Sequence, residues 1–460
     1  MTFSEYLTSL KNKTVAVVGI GVSNRPLIET MLKQGISVTV CDRKDRAALG
    51  EEANRLEDLG AVLHLGTDYL KGLHQDIIFK TPGLRPDVPE LEEAVRGGSV
   101  LTSEMEVLFE VCPCPIIAVT GSDGKTTTTT IIAELLKRSG RVVHLGGNIG
   151  HPLLTEAGSM RSEDIAVLEL SSFQLMTMTR SPHIAVMTNL APNHLDVHKD
   201  MEEYIAAKKN IFTHQSSEDI AVFNADNKIT RGFAEESPGA VRMFSRKEEP
   251  ENGAFLRGNT VFLRIGGTEQ EIMTTDDIRL PGVHNIENYL AAIAAVGGMV
   301  SAETIREFSR EFAGVEHRIE LVRTLRGVQY FNDSIASSPS RTIAGLHSFH
   351  EKVILIAGGY DKHIPFDVLG PEIVRHVKLL ILCGATASKI RAAVENTPDY
   401  QRGRPEIIEE TDFRKAVELA SQHATDGDVV TLSPACAAFD QFQNFMERGK
   451  IYKMIVNQLK

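Results

Sequence analysis

The chain of 460 residues contains no apolar run that approaches the roughly 20 residues needed to span a bilayer. No basic segment with an apolar core precedes the first predicted strand, so neither a secretory signal nor a membrane anchor is expected. The cysteines are odd in number and lack the spacing of a disulfide framework: Cys41, Cys112, Cys114, Cys383 and Cys436. An isolated C-P-C pair is a weak metal signal. We therefore expect inert thiols in a protein of the reducing cytoplasm.

An excess of positive charge is also missing. The 49 lysines and arginines are outnumbered by 61 aspartates and glutamates, which gives a net charge of −12. An extended nucleic-acid surface needs concentrated basic charge, so this partner is not expected. Apolar residues make up 42% of the chain and charged residues 24%, as in ordinary globular proteins.

Apolar, β-branched runs alternate with helical stretches along most of the chain, which predicts an α/β fold with parallel sheets. We predict three domains, at residues 1–113, 114–314 and 315–460, the first and last Rossmann-like. A polar, glycine-rich region at 237–277 is expected to form short antiparallel strands or loops. The predicted strands are 14–18, 38–41, 76–79, 116–119, 165–170, 184–187, 221–224, 353–357, 379–383 and 429–432.

The segment T-G-S-D-G-K-T-T at residues 120–127 lies between a predicted strand and a helical stretch at 126–136. Backbone N–H groups in such a turn, and the helix N-terminus that follows, bind phosphate. Lys125 would reach the β- and γ-phosphates, and the Thr126 hydroxyl would ligate Mg²⁺. The usual loop has its first glycine at the position of Val119, and the tighter turn of this chain uses Gly121 instead. The pattern predicts a P-loop ATPase-like central domain that uses ATP.

The first domain opens with V-A-V-V-G-I-G-V-S-N at residues 15–24. A strand followed by G-x-G and a helix resembles a dinucleotide fingerprint, and Asp42 ends the next predicted strand. Asn24 replaces the third glycine. Three interpretations stay open from this segment alone: a nicotinamide or flavin site, another nucleotide-sugar site, or a structural turn.

Three ionisable residues follow predicted strands at the edge where the phosphate loop lies. Glu169 closes an apolar strand, His194 follows the next one, and Lys208 lies on a predicted helix after it. Taken singly, they would be a salt bridge, a capping histidine and a surface lysine. Because ligands of open α/β sheets bind at this edge, and Mg²⁺ prefers oxygen ligands, the combination favours a metal–nucleotide site.

These motifs together resemble the ATP-dependent Mur ligases, which add amino acids stepwise to the UDP-N-acetylmuramoyl precursor of the bacterial cell wall. The resemblance is closest to members that add D-glutamate, in E-L-S-S-F-Q-L and in L-S-P-A-C-A-A-F-D-Q-F-Q-N-F-x-x-R-G. The D-N-P-R motif of diaminopimelate-adding members is not found. The matching pieces are 120–127, G-G-N-I-G at 146–150, 169–175, N-H-L-D at 193–196, Y-I-A-A-K at 204–208, H-N-x-x-N at 284–288, H-R-I-E at 317–320 and 432–449.

The resemblance implies that the central domain binds ATP and two Mg²⁺ ions, with Lys125, His194, Lys208 and Arg318 as catalytic residues. The first ion would be held by Thr126 and Glu169, and the second by His194 and Lys208, the lysine as a carbamate formed with CO₂. The implied ATP-binding residues are Gly121, Ser122, Asp123, Gly124, Lys125, Thr126, Thr127, Asn285, Asn288, Arg318 and Asp333.

For the other substrates, the resemblance implies that the first domain binds UDP rather than a redox cofactor. The D-glutamate pocket departs from the family pattern at Ile335 and Ala438, and Arg341 is our candidate to compensate. The implied residues for the UDP precursor are Val22, Ser23, Asp42, Arg43, Gly83, Asn148, Ser171 and His194; those for D-glutamate are Ser337, Lys362 and Phe445.

The resemblance therefore implies a cytoplasmic, monomeric enzyme of peptidoglycan precursor synthesis. It would join D-glutamate to UDP-N-acetylmuramoyl-L-alanine through an acyl phosphate, with domain closure during catalysis. Another Mur ligase or a folylpolyglutamate synthase-like amide ligase is the alternative enzyme. A nicotinamide-binding oxidoreductase or sensor would leave the phosphate loop and Glu169 unexplained.

Overall fold

The computed structural model describes residues 1–21, 23–149, 151–191, 197–280, 282–349, 351–361 and 364–460. Within them the chain forms two compact units. Unit one comprises Met1–Ile278 and Val283–Arg310, and unit two comprises Arg279–Gly282 and Glu311–Lys460. None of the described helices is both long and apolar enough to cross a membrane.

Unit one contains two sheets. The first is five-stranded and wholly parallel, in the order β3-β2-β1-β4-β5. Its central strand β1 is V-A-V-V, buried on both faces because helices cover both sides of a parallel sheet. Its elements are α1 Phe3–Leu10, β1 Val15–Val18, α2 Asn24–Lys33, β2 Val38–Asp42, α3 Arg46–Leu49, α4 Glu51–Asp58, β3 Val62–Leu65, β4 Ile77–Lys80, α5 Pro89–Arg96, β5 Val100–Thr102 and α6 Glu104–Val111.

The second sheet has nine strands in the order β14-β13-β12-β11-β10-β9-β6-β8-β7. Its elements are β6 Ile116–Thr120, α7 Lys125–Arg138, β7 Val143–Gly147, β8 Ile165–Glu169, α8 Ser172–Leu175, β9 Ile184–Met187, α9 Met201–Lys209, β10 Ile220–Asn224, α10 Lys228–Gly232, β11 Ala240–Ser245, β12 Gly253–Arg257, β13 Thr260–Ile265, β14 Thr268–Thr274, α11 Val283–Val296 and α12 Ala302–Glu311. Short 3₁₀ helices lie at Leu154–Ser159, Phe233–Glu235 and Thr275–Asp277.

The strand order places β6 between β8 and β9, with Val119 in register with Glu169 and Thr120 in register with Met187. The chain leaves β6 towards β7 and β8 on one side and later returns to β9 on the other. Ligands of open parallel sheets bind at such a reversal, outside the carboxyl ends of the strands. The phosphate loop follows β6 directly and therefore lies at this reversal.

Unit two contains a six-stranded sheet in the order β15-β16-β20-β17-β18-β19, parallel except for the edge strand β15. Its elements are β15 Glu320–Leu325, β16 Val328–Asn332, α13 Pro339–Leu346, β17 Val353–Ala357, α14 Leu369–His376, β18 Val377–Leu382, α15 Ala387–Glu395, β19 Glu406–Glu409, α16 Phe413–His423, β20 Val429–Leu432 and α17 Phe445–Gln458.

The predicted α/β fold class is confirmed, and each of the ten predicted strands is present to within two residues at either end. The region at 237–277 was only partly anticipated. Its strands β11 and β12 extend the sheet in parallel, and only β13 and β14 are antiparallel. The number of domains and their boundaries stay a prediction. The five cysteines are free thiols.

Candidate active site

The phosphate loop occupies residues 121–124, between the end of β6 and the first residue of α7. Both of its glycines are required by close contacts. A Cβ at Gly121 would lie 2.0 Å from Thr188 Oγ1, and one at Gly124 would lie 2.3 Å from Asn288 Oδ1. Gly124 also has φ = 76°, in the left-handed region that glycine adopts without strain. The loop therefore fits closely against the neighbouring elements.

Residues that follow β9 hold this loop in place. The Asn189 carbonyl accepts from Ser122 N at 2.9 Å, and Asn189 Oδ1 accepts from Asp123 N at 3.0 Å. Thr188 Oγ1 donates to the Asp123 carbonyl at 2.6 Å. Sequence reasoning missed Thr188 and Asn189, although their position after a strand adjacent to β6 was an available signal.

Lys125 folds back over the loop. Its Nζ donates to the Gly121 carbonyl at 3.0 Å and to the Ser122 carbonyl at 2.9 Å. The next residue, Thr126, is buried in the first turn of α7. Phosphate-binding loops use a lysine and a hydroxyl at these two positions.

Lys208 of α9 is buried beside the same loop. Its Nζ donates to Thr120 Oγ1 at 2.9 Å and to the Gly121 carbonyl at 3.0 Å, and it lies 5.1 Å from the ring centre of Tyr204. Burial, helped by the charge of Lys125, lowers the pKa of Lys208 well below its usual value. Lys208 is thus a buried amine biased towards its neutral form, not the surface lysine of the simplest interpretation.

Tyr204 is a further residue that sequence reasoning did not assign to the site. Its hydroxyl lies 3.0 Å from Ser122 Oγ, and Ser122 Oγ also donates to the Ala191 carbonyl at 2.9 Å. Since Tyr204 and Lys208 are four positions apart on α9, one face of this helix contacts the phosphate loop twice.

Glu169 ends β8 and is only 2% exposed. Asn148 Nδ2 donates to its Oε1 at 2.9 Å, and Asn148 N donates to its carbonyl at 2.8 Å. Its other carboxylate oxygen, Oε2, is buried and has no hydrogen-bond partner among the described residues. A buried carboxylate oxygen without a donor suits a hard cation, which is the chemistry predicted for this residue.

The two asparagines predicted near the nucleotide base lie on α11 and contact α7. Asn288 Oδ1 accepts from Thr128 Oγ1 at 3.3 Å, and Asn288 Nδ2 donates to Asn285 Oδ1 at 3.1 Å. Both side chains are buried. They are therefore positioned beside the start of α7 and close to Gly124.

Ser171 lies after β8 at the same sheet edge, where it caps α8. Its Oγ accepts from Gln174 N at 3.3 Å, and its N donates to Gln174 Oε1 at 2.9 Å. This reciprocal pair is a capping box, which fixes the chain direction immediately after Glu169.

The first glycine turn of the chain, which begins at Gly19 after β1, is held by hydrogen bonds from neighbouring residues. Asn24 Nδ2 donates to the carbonyls of Val18, at 3.2 Å, and Gly19, at 3.0 Å. Asp42 accepts from Ile20 N through Oδ2 at 2.7 Å and from a second backbone N–H through Oδ1. Of the other residues predicted to bind the UDP precursor here, Ser23 is half-buried, and Arg43 and Gly83 are exposed.

A charge network joins the loop after β4 to α9. Arg85 donates to both carboxylate oxygens of Glu203, at 2.7 and 2.9 Å, to Asp87 and to the Val197 carbonyl at 2.7 Å. The Arg85 guanidinium lowers the pKa of Glu203 to about 2. Because Gly83 lies in this loop and Lys208 on this helix, the network holds two predicted binding segments against each other. Nothing in the sequence around Arg85 indicated this role.

In unit two, Asp333 follows β16 and is 4% exposed. Its Oδ2 accepts from Ser433 Oγ at 2.7 Å and its Oδ1 from Ile319 N at 3.3 Å. Burial raises the pKa of Asp333 to about 7, although nearby Arg318 and Arg341 oppose this. Asp333 is the strongly perturbed carboxyl at the strand ends of this sheet, a property typical of functional sites.

A buried arginine, Arg448, is linked through Ser334 to Phe445, one of the residues predicted for the amino-acid substrate. Its guanidinium donates to Ser334 Oγ and to the carbonyls of Ser334, Cys436 and Ala437, and burial lowers its pKa to about 10. Ser334 Oγ donates in turn to the Phe445 carbonyl at 2.8 Å. Arg448 lies in the R-G of the closing motif.

The structure shows the burial and the contacts of the two residues that depart from the family pattern. Ile335 is half-buried; its carbonyl accepts from Ser337 N at 2.7 Å and from Arg341 Nη1 at 3.4 Å. Ala438 is almost fully buried, at 1% exposure. Arg341 is therefore close to the position where the family has a lysine. Its compensating role stays a hypothesis.

Three predicted site residues, Val22, His194 and Lys362, lie outside the described residues. A cavity of 980 Å³ lies in unit one beside the edge strand β5 and helix α6. None of the predicted site residues lines it. The chemistry-bearing groups instead lie at the strand ends of the second sheet, so we place the candidate site there.

The chain is similar to known proteins over its whole length. The Mur ligase middle domain model matches residues 119–296, and the Mur ligase, glutamate ligase domain model matches residues 317–436. Proteins named UDP-N-acetylmuramoylalanine--D-glutamate ligase from Acetivibrio thermocellus and Clostridium novyi are 53% and 49% identical to it. The alignments cover 99% of both chains for the first, and 100% of this chain and 99% of the relative for the second.

Solved structures resemble the fold at lower identity. The UDP-N-acetylmuramate-alanine ligase MurC of Thermotoga maritima aligns with a TM-score of 0.58 and 17% identity, over 98% of this chain and all of that one. A pseudomurein peptide ligase type C of Methanothermus fervidus aligns with a TM-score of 0.54 and 18% identity, over 98% and 100%. These likenesses support the fold.

Proposed function

The chain belongs to the Mur ligase family, and we propose that it joins D-glutamate to UDP-N-acetylmuramoyl-L-alanine with cleavage of ATP to ADP and phosphate. The observation that carries the chemistry is the convergence of Lys125, Lys208 and Glu169 at the strand ends around the phosphate loop. The relatives of about 50% identity over the full length support the choice of D-glutamate.

The oxygen ligands available around the phosphate loop suit Mg²⁺. Glu169 Oε2 is buried without a hydrogen-bond partner among the described residues, and Thr126 lies in the first turn of α7. We propose that these residues hold one ion, and that His194 and carbamylated Lys208 hold another. Mg²⁺ would supply charge neutralisation for the phosphates when bound.

The carbamate is part of the proposal, and the setting of Lys208 supports it. A carbamate forms when the neutral amine attacks CO₂: an N–C bond forms, one proton leaves and the nitrogen then carries a carboxylate. Burial lowers the pKa of Lys208, which favours the neutral amine that this step needs. The carbamate places a negative charge beside Lys125, where an ammonium group on Lys208 would be repelled.

Carbamylation is testable with isotopically labelled bicarbonate and carbon NMR. We expect a carbamate resonance from the unaltered chain and from Lys209→Arg, and no such resonance from Lys208→Arg. Lys209 is a matched control because it is the adjacent lysine and pairs with Glu236. A resonance that persists in Lys208→Arg would contradict the proposal without touching the ligase assignment.

In the proposed reaction, the carboxylate of the L-alanyl group attacks the γ-phosphorus of ATP. The bond to the bridging oxygen breaks, ADP leaves with the electron pair, and an acyl phosphate forms. The D-glutamate amine then attacks the acyl carbon, phosphate leaves, and the nitrogen loses a proton. Lys125 neutralises the γ-phosphate so that an anionic carboxylate can approach it, and the loop amides orient the phosphates.

The substrate contacts remain as predicted from the resemblance. We propose that Asn285, Asn288, Asp333 and Arg318 contact ATP. The proposed contacts of the UDP precursor are Val22, Ser23, Asp42, Arg43, Gly83, Asn148, Ser171 and His194. Those of D-glutamate are Ser337, Lys362 and Phe445, and a monomer acting in the cytoplasm completes the proposal.

The deciding experiment measures phosphate release from the purified chain with ATP, Mg²⁺, UDP-N-acetylmuramoyl-L-alanine and a panel of amino acids. We expect release, and a product of the correct mass, with D-glutamate only. Release with a different amino acid would retain the ligase chemistry and move the substrate assignment. No release with any amino acid would overturn the proposal.

A further inference from the structure

Two histidines and one glutamate converge on the surface of unit two, and none of them was predicted to bind a substrate. His347 is the C-cap of α13, and Glu372 and His376 lie four positions apart on α14. Residues with this spacing share one face of a helix. The end of one helix and the side of the next therefore direct three ligand-type side chains to one place.

The three donor atoms are close to one another. His347 Nε2 lies 2.7 Å and His376 Nε2 lies 3.4 Å from the same oxygen, Oε2 of Glu372. One ligand atom from each residue fits within a span of 4.8 Å. Ligands of a tetrahedral Zn²⁺ lie about 2.0–2.2 Å from the metal, and therefore about 3.3 Å from each other. The triad needs only small side-chain movements to reach that geometry.

The second oxygen of the glutamate has its own partner. Arg375 Nη1 donates to Glu372 Oε1 at 2.6 Å, which leaves Oε2 directed at the two imidazoles. Carboxylates that bind metals are commonly oriented by such an outer hydrogen bond. The Glu372 side chain is 18% exposed and that of His347 is 52% exposed, so the carboxylate is largely shielded from solvent and the His347 ring is open to it.

We propose that His347, Glu372 and His376 form a binding site for a transition-metal ion, with Zn²⁺ the best-suited ion. Two imidazole nitrogens, one carboxylate oxygen and an open position for water are a common ligand set for this metal. Mg²⁺ is a poor occupant because it prefers an octahedral shell of oxygens. The bound ion takes the place of the hydrogen-bonded proton between His347 and Glu372, and it links the end of α13 to α14.

The test uses the full chain without an affinity tag, freed of metal and kept in excess Mg²⁺ so that the phosphate site is not a competing sink. Equilibrium dialysis against Zn²⁺ is followed by metal analysis. We expect His376→Ala to bind one Zn²⁺ fewer per chain than the unaltered protein, and Glu372→Gln to bind that ion about 10-fold more weakly or worse. Co²⁺ should give tetrahedral visible absorption that His376→Ala lacks.

His423→Ala is the matched control, since His423 is an exposed histidine on another helix of unit two whose Nδ1 lies 2.9 Å from the Leu419 carbonyl. It should bind Zn²⁺ like the unaltered chain. Equal Zn²⁺ binding by the unaltered chain, His376→Ala and Glu372→Gln would overturn the proposal and leave the triad as a surface hydrogen-bonded cluster. Zn²⁺ should also raise the melting temperature of the unaltered chain and of His423→Ala, but not of His376→Ala.

Discussion

Two turns of this molecule follow the same local pattern and differ in what surrounds them. The first lies between β1 and α2 and the second between β6 and α7, and each begins after a buried parallel strand. Both contain a glycine in the left-handed region, Gly19 with φ = 91° and Gly124 with φ = 76°. From the turn sequences alone, both are candidates for phosphate binding.

Their surroundings separate them. In the first turn, the amide of Asn24 and the carboxylate of Asp42 are bonded to the turn's own backbone. In the second, two lysines contact the Gly121 carbonyl, and the neighbouring Glu169 keeps a buried oxygen without a partner among the described residues. A glycine turn therefore provides the backbone shape that can accommodate a phosphate. The charged groups that phosphoryl transfer needs come from the residues around it.

Removing the lysine of the second turn should have the largest effect. We expect Lys125→Met to lower kcat for phosphate release about 10²–10³-fold, because one preorganised charge is lost from the transition state. Lys137→Met is the control on the same helix, since Lys137 is exposed and pairs with Glu134. Steady-state kinetics measure kcat for both variants. Similar kcat values would mean that Lys125 does not contribute to catalysis and that the second turn has no functional advantage over the first.

Replacing Glu169, the carboxylate beside the second turn, should have the second-largest effect. We expect Glu169→Gln to raise the Mg²⁺ concentration for half-maximal activity about 10-fold or more, since an amide is a weaker ligand for a hard cation. Glu163→Gln, at an exposed position before β8, is the control. An unchanged Mg²⁺ dependence in Glu169→Gln would assign the metal to other residues.

Much of the structure around the second turn could be predicted from the sequence, because its strand and helix have local sequence signals. The apolar run at 116–119 forms the strand Ile116–Thr120. The helical stretch at 126–136 forms the helix Lys125–Arg138. The placement of Glu169 and Lys208 near the loop followed from a general rule about sheet edges.

The remaining contacts depend on residues far apart in the chain. Thr188 and Asn189 bond to the phosphate loop from about 65 positions away, and Arg85 reaches Glu203 across 118 positions. The position of such a residue after a strand indicates the sheet edge, but no local feature identifies the distant residue that it contacts. The parallel addition of β11 and β12 was missed for the same reason, because parallel pairing is defined by distant partners.

Gly121 of the second turn and Gly21 of the first should differ in their tolerance of a methyl group. We expect Gly121→Ala to lower the free energy of unfolding by about 1–3 kcal/mol, because its Cβ would lie 2.0 Å from Thr188 Oγ1. Gly21→Ala should change stability by less than about 0.5 kcal/mol, because its Cβ would lie 3.9 Å from Thr81 Oγ1. Urea denaturation of both variants measures the difference, and equal losses would remove this distinction between the turns.

The final prediction asks whether Asn24 is what separates the first turn from a dinucleotide site. Asn24→Gly restores the missing third glycine and removes the bonds to the Val18 and Gly19 carbonyls. We expect a loss of about 1–2 kcal/mol in unfolding free energy, moderated because Asn24 Oδ1 is itself buried without a partner among the described residues.

The functional readouts of Asn24→Gly are the KM values for the two nucleotides and a fluorescence titration with NADH. The KM for the UDP precursor should rise while that for ATP stays unchanged, since the substitution loosens only the first turn. NADH should still not bind, because the substitution leaves the hydrogen bond between Asp42 and the Ile20 N–H in place. Binding of NADH by this variant alone would show that a single side chain, rather than the surrounding strand ends, decides what such a turn can hold.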